Sequence, residues 1–205
     1  MELLKLLLII PLLWGTTVAR AQYSETVLKA FGESYVAEKE GDYRKAASFL
    51  KKGYQENSYE YNLRLGWLSY KSGAHGESLN YYRKALEILP YSEEARHGLI
   101  LPLTALGQMD EVVAVYEEIL THNPGSTVTL YRLGMVHYNR KEWQKAFRPF
   151  QKLVDLYPFD YDGLLMLAWT SLRMGKTREA KVLFNKVLLY APGDKSALEG
   201  LELLK

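Results

Sequence analysis

Covalent or metal chemistry requires nucleophiles, bases or ligands gathered at one place, and this sequence offers few. Its four histidines are His75, His97, His122 and His137. No two of them stand four residues apart, the spacing that sets two imidazoles around a zinc ion on one helix face. There is no cysteine, so thiolate ligands, a cysteine nucleophile and disulfides are excluded. Neither a glycine-rich phosphate loop nor a G-x-S-x-G turn occurs. Glu117 and Glu118 are adjacent on what reads as the solvated face of a helix, where charge is the default. A different set of residues suits non-covalent chemistry. Trp67, Tyr70, Tyr131, Tyr138 and Trp169 recur along the chain among leucines and methionines. Aromatic side chains of this kind bury much area with few rotors, which makes them anchors for a bound partner. No metal and no cofactor is expected.

The elements that must position these residues are repeated. "YYRKALEILP" (81–90), "VYEEILTHNP" (115–124), "PFQKLVDLYP" (149–158) and "LFNKVLLYAP" (183–192) each read as an amphipathic helix closed by a proline. Pro90, Pro124, Pro158 and Pro192 are evenly spaced, on the period of about 34 residues that marks a helical-hairpin repeat. A proline cannot continue a helix, and four such stops at one spacing mean that a unit is copied. The units are 59–92, 93–126, 127–160 and 161–194, with a weaker one at 27–58. Within the first full unit a helix is predicted from about Glu60 to Lys71. Ser72-Gly73 breaks it, glycine accepting the left-handed conformation at a helix C-terminus. A second helix runs from about His75 to Leu89. Pro102 and Pro149 fall inside predicted helices and are expected to kink them.

The array resembles the tetratricopeptide repeats, whose pattern sets a large residue at position 4, Leu at 7, small residues at 8 and 20, aromatics at 11 and 24, a small residue at 27 and Pro at 32. Position 7 holds Leu65, Leu99, Leu133 and Leu167; position 24 holds Tyr82, Tyr116, Phe150 and Phe184. Position 8 holds Gly66, Ile100, Gly134 and Ala168, and position 20 holds Ser78, Val112, Ala146 and Ala180. The turn position 15 holds Gly73, Gly107, Lys141 and Gly175. Small residues let helix backbones approach to roughly 8–10 Å, and stacked units supply the core that none could bury alone. The unit 27–58 keeps Ala46, Leu50 and Gly53 but has Glu33 where leucine is wanted and Ser58 in place of the proline. "KSALEGLELLK" (195–205) starts like a sixth first helix and is expected to cap the array. The resemblance implies an all-α fold, a right-handed α-solenoid of five helix-turn-helix repeats.

It further implies a concave face lined by the first helices. Its partner-binding residues would be Leu63, His97, Tyr131 and Leu165 at position 5, Trp67, Leu101, Met135 and Trp169 at position 9, Tyr70 and Tyr138 at position 12, and Lys71 and Arg173 at position 13. For each aromatic, packing on a neighbouring helix competes with a groove role. Glu60, Glu94 and Asp162 at position 2 would form an acidic edge, although complementation of the helix dipole predicts the same residues without a ligand. Some proteins of the family clamp a chaperone's C-terminal carboxylate with Lys at position 5 and Asn at position 9. Those positions are apolar, aromatic or His97 here, so that clamp is absent.

Net charge is +2 over 205 residues, which does not suit a phosphate-driven nucleic-acid binder. The N-terminus reads as a signal peptide: one lysine in "MELLK", the apolar "LLLIIPLLW", then Ala19-Arg20-Ala21 as an A-x-A cleavage site. Residues 1–21 are expected to be removed, 22–26 to link, and the mature chain to be periplasmic or secreted with no membrane-spanning segment. The function expected is a non-catalytic interaction scaffold that holds a protein or peptide in the concave groove, in envelope assembly or secretion. A self-associating structural array, a homo-oligomer, and an accessory subunit of an envelope enzyme complex are the alternatives.

Overall fold

The computed structural model describes residues 23–205. The expected signal peptide and its cleavage site lie outside the described residues. Eleven helices follow one another among those described: α1 (Glu25–Lys39), α2 (Tyr43–Lys51), α3 (Tyr59–Lys71), α4 (His75–Ile88), α5 (Glu93–Ala105), α6 (Met109–His122), α7 (Thr127–Asn139), α8 (Trp143–Leu156), α9 (Tyr161–Arg173), α10 (Thr177–Tyr190) and α11 (Lys195–Glu202). They pack as consecutive hairpins, α1 on α2 through α9 on α10, with α11 laid against α9 and α10. The fold is a helical solenoid.

Helix ends follow from local chemistry. Ser24, Ser58, Ser92, Ser126, Asp160 and Asp194 cap α1, α3, α5, α7, α9 and α11, each side chain accepting from the backbone N–H three residues on. From Ser24 onward these caps recur at one even spacing, a second periodic signal beside the prolines. The second helices α4, α6, α8 and α10 have no such cap. Each stops two residues before its proline because the residue preceding a proline is pushed out of the helical region; Leu89 adopts φ −126° and ψ 80°. Gly73, Gly107 and Gly175 turn the hairpins at φ between 73° and 81°. Lys141 holds the same turn at φ 60°, the one non-glycine residue with positive φ among those described.

The first hairpin departs from the expected linker boundary. Ser24 caps α1, so Glu25 and Thr26 are helical rather than linking. Inside it, Ser34, Ala37, Ala46 and Leu50 are buried while Glu33 is half-buried at the position that wants leucine. The two internal prolines do not end their helices: α5 runs through Pro102 and α8 through Pro149, and both rings are buried.

The core is built by rings set against missing side chains. Tyr82, Tyr116, Phe150 and Phe184 are all buried. The Tyr82 ring lies over Gly66 of its own hairpin, where a Cβ would sit 3.0 Å from ring carbons, and over Gly98 of the next, where a Cβ would overlap the ring outright. A Cβ on Gly134 would lie 2.5 Å from Phe150, and Gly200 of α11 meets Phe184 in the same way. The third hairpin is the exception: Ile100 and Val112 stand at the close-approach positions and share one apolar cluster with Tyr116. Gly98→Ala should therefore destabilise the protein by about 1–3 kcal/mol through overpacking, whereas Lys141→Gly should stabilise it by about 0.5–1 kcal/mol by relieving the left-handed strain. Urea unfolding midpoints measure both.

Candidate functional site

A cleft of about 580 Å³ opens on the face formed by the first helices. Leu63 and Trp67 of α3 and His97 and Leu101 of α5 form its floor, with Phe31 and Tyr35 of α1 at one end and Arg132 of α7 at the other. Glu60 and Glu94, in the first turns of α3 and α5, edge it. The positions on α3, α5 and α7 recur at the repeat spacing, so stacking alone aligns them.

The structure places the predicted residues unequally. Leu63, Trp67, His97 and Leu101 come together around this cleft. Tyr131, Met135, Tyr138, Leu165 and Trp169 are only partly exposed and pack against the core of the last two hairpins. Tyr131 meets Phe150 edge-on at 6.0 Å, and Trp169 meets Phe184 at 5.2 Å while its indole N–H donates to Ser196 at 2.9 Å. Trp169 thus fastens the terminal helix as much as it faces outward. Tyr138, 5.0 Å from Trp143, lines a separate shallow hollow with Arg173. Tyr70 lies between Trp67 and His75, with ring separations of 6.2 and 5.5 Å. The Lys71 ammonium sits 5.4 Å from the Trp67 ring and 5.1 Å from that of Tyr43, and Arg173 lies 5.9 Å from Trp169. The basic residues at position 13 are engaged on aromatic faces.

Pattern reasoning overlooked the charges inside the stripe. Glu38 of α1 accepts a hydrogen bond from the Trp67 indole N–H at 2.5 Å and pairs with Arg64 at 2.5 Å. The Arg64 guanidinium lies 3.8 Å from the Tyr35 ring centre. Burial acts to raise the Glu38 pKa, but the hydrogen bonds from Arg64 and Trp67 outweigh it and hold the carboxyl below its ordinary range. Arg96, 4% exposed at a position that wants a large apolar residue, pairs with Glu118. The available signal was an arginine at a position that should be apolar or that interrupts an aromatic run. His97 has a lowered pKa, first because it is buried and second because Arg132 is near, so it is neutral at neutral pH.

The histidines do not converge. His122 is exposed, bonded to the Glu118 carbonyl at 3.0 Å, and His137 is buried against Glu142 at 2.6 Å. Among the described residues no group of three or more His, Asp or Glu side chains could hold a metal ion, and no helix is long and apolar enough to cross a membrane. What the site offers is an apolar, aromatic surface with charged edges.

Glu38→Ala should cost on the order of 2–3 kcal/mol, because it leaves the largely buried Arg64 unpaired. The carboxyl's folded pKa lies below its unfolded value, so the pair's contribution is complete above the ordinary carboxylate pKa and is lost as pH falls through the folded one. Unfolding of wild type and variant followed from neutral to acidic pH should show their stabilities converging.

Comparison with known proteins agrees with this architecture. One tetratricopeptide repeat model matches residues 129–160 and 162–194, and another matches 31–93. The stretch between them carries the bulky Ile100 and Val112. No curated protein matches the sequence significantly. Among solved structures, a tetratricopeptide repeat protein from Parabacteroides merdae is similar at 22% identity and a TM-score of 0.73, over 88% of this chain and 73% of that one. MamA from Desulfovibrio magneticus is similar at 19% identity and a TM-score of 0.69, over 85% of this chain and 99% of that one. YrrB, described as a tetratricopeptide repeat protein with an unusual peptide-binding site, is similar at 15% identity and a TM-score of 0.68, over 86% of this chain and 92% of that one. These likenesses establish the fold, and the repeat models together span more than half of the chain. With the even spacing of the prolines, the rings packed on glycines and the turn of every hairpin, they identify one family: the chain belongs to the tetratricopeptide repeat proteins.

Proposed function

We propose that this protein is a non-catalytic interaction scaffold that holds a segment of a partner protein against the concave face of its first helices, outside the cytoplasm. The observation that carries the reading is the cleft of about 580 Å³ over Leu63, Trp67, His97 and Leu101. It is wide enough for several side chains of a peptide, and its floor is apolar where the opposite helices already fill the core. Burial of apolar area would supply the affinity, and the charged edges would orient the segment. The peptide-binding site named for YrrB, whose fold is similar, makes a peptide the natural first candidate. The extracytoplasmic setting rests on the lysine, the apolar run and the Ala19-Arg20-Ala21 site of the N-terminal segment. An envelope-assembly or secretion role follows from that address together with a scaffold that has no catalytic constellation of its own in the residues described.

A photoreactive amino acid in place of Trp67, with Lys84 on α4 as the control, tests this in cells. Lys84 faces away from the cleft and pairs with Glu56. One partner captured from Trp67 and not from Lys84 is the expected result, recovered from the extracytoplasmic fraction at the mass of the chain starting at Gln22. Capture from Lys84 alone, or of a second copy of the protein, would favour a self-associating array; a cytoplasmic product of full mass would overturn the address.

A further inference from the structure

We infer that the segment held in this cleft carries a basic side chain close to its apolar anchor, which is the reverse of an acidic C-terminal tail. The inference rests on the concave-face reading above and adds the chemistry of the occupant. Its basis is charge left over after the ion pairs among the described residues are counted. Arg64, one of the two cations that line the cleft, is spent on Glu38. His97 on the floor is neutral, burial and Arg132 both opposing its protonation. Glu60 and Glu94 line the cleft side by side on successive first helices, and neither has a cationic partner among the described residues.

Their hydrogen bonds come from neutral donors and leave their charge uncompensated. Glu60 accepts from the Tyr23 hydroxyl at 2.7 Å and from Ser58 at 2.7 Å. Among the described residues Glu94 is reached by the Tyr59 hydroxyl alone, at 3.4 Å. Attraction to the helix dipole explains why acids are tolerated there, and Ser58 and Ser92 each already cap one N-terminal amide of α3 and α5. Two unpaired carboxylates beside a low-dielectric floor attract a cation more strongly than the same charges on open surface. Arg132, the remaining cation of the cleft, lies on α7, so the base is directed to the α3–α5 side. The geometry therefore fits a bulky apolar residue seated over Leu63, Trp67 and Leu101, with Lys or Arg a few positions away against Glu60 and Glu94.

Panning a phage-displayed library of random short peptides on the purified protein, and in parallel on a Glu60→Gln/Glu94→Gln variant and on Leu101→Gln, tests this. Both variants are first checked for an unchanged helical spectrum and unfolding midpoint. The native protein is expected to enrich a bulky apolar residue with a nearby Lys or Arg. The double variant is expected to lose the basic preference while keeping the apolar one. A synthetic peptide of the enriched sequence should bind the double variant roughly tenfold more weakly and should weaken on the native protein as salt is raised. An enriched motif that depends on Leu101 but is neutral or acidic would overturn this inference and leave the groove standing. Enrichment indifferent to Leu101→Gln, or none at all, would remove the groove and the inference together.

Discussion

The rest of the molecule depends on one contact: a large ring on a second helix pressed onto backbone that carries no side chain. Tyr82 lies on Gly66 and Gly98, Phe150 on Gly134, and Phe184 on Gly200. Each ring fills the space between a hairpin and its neighbour, so one side chain sets both the packing within a unit and the step to the next. Rings of this size supply much of the apolar area that a short hairpin has available, and none of it is gained until the next unit is in place. The terminal helix α11 obeys the same rule, bringing Gly200 to Phe184 and Ser196 to Trp169. It closes the core by repeating half of a unit.

Because the step between units is fixed by these rings, side chains one repeat apart are brought into rows. The caps Ser58, Ser92, Ser126, Asp160 and Asp194 form one such row. Two of its members are tied back to the preceding unit, the Tyr59 hydroxyl sharing a hydrogen bond with Ser92 at 2.7 Å and Tyr161 donating to Asp194 at 2.7 Å. The concave row is another. It begins as an open cleft over α3 and α5 and ends as packing around Trp169 and Tyr131, so the same repeat position is left open at one end of the array and serves cohesion at the other.

Charge differentiates the rows further. The basic residues Lys71 and Arg173 lie against aromatic rings, and Arg64 is neutralised across the first unit boundary by Glu38. Glu60 and Glu94 at the opposite edge have no ionic partner among the described residues. The two edges that look symmetrical in the repeat pattern are therefore held differently: the bases lie on aromatic rings, and Glu60 and Glu94 line the open cleft.

The sequence by itself determined the repeat: its period, its helix boundaries to within a residue or two, and the burial of Tyr82, Tyr116, Phe150 and Phe184. These are legible because proline, glycine and serine act through local backbone chemistry, and because a ring that returns in every unit can be satisfied only by stacking. The start of α1 was missed although Ser24 stands as far before Ser58 as Ser58 does before Ser92, because the short α2 shifts the rest of the first unit off that spacing. Only the tertiary structure decided which of the concave residues stay open, that Glu38 reaches across to Arg64 and Trp67, and that Arg96 is buried against Glu118. Those outcomes join residues from different helices, and whether a stripe side chain meets solvent or a neighbour depends on the size of what stands opposite it, which no periodicity encodes.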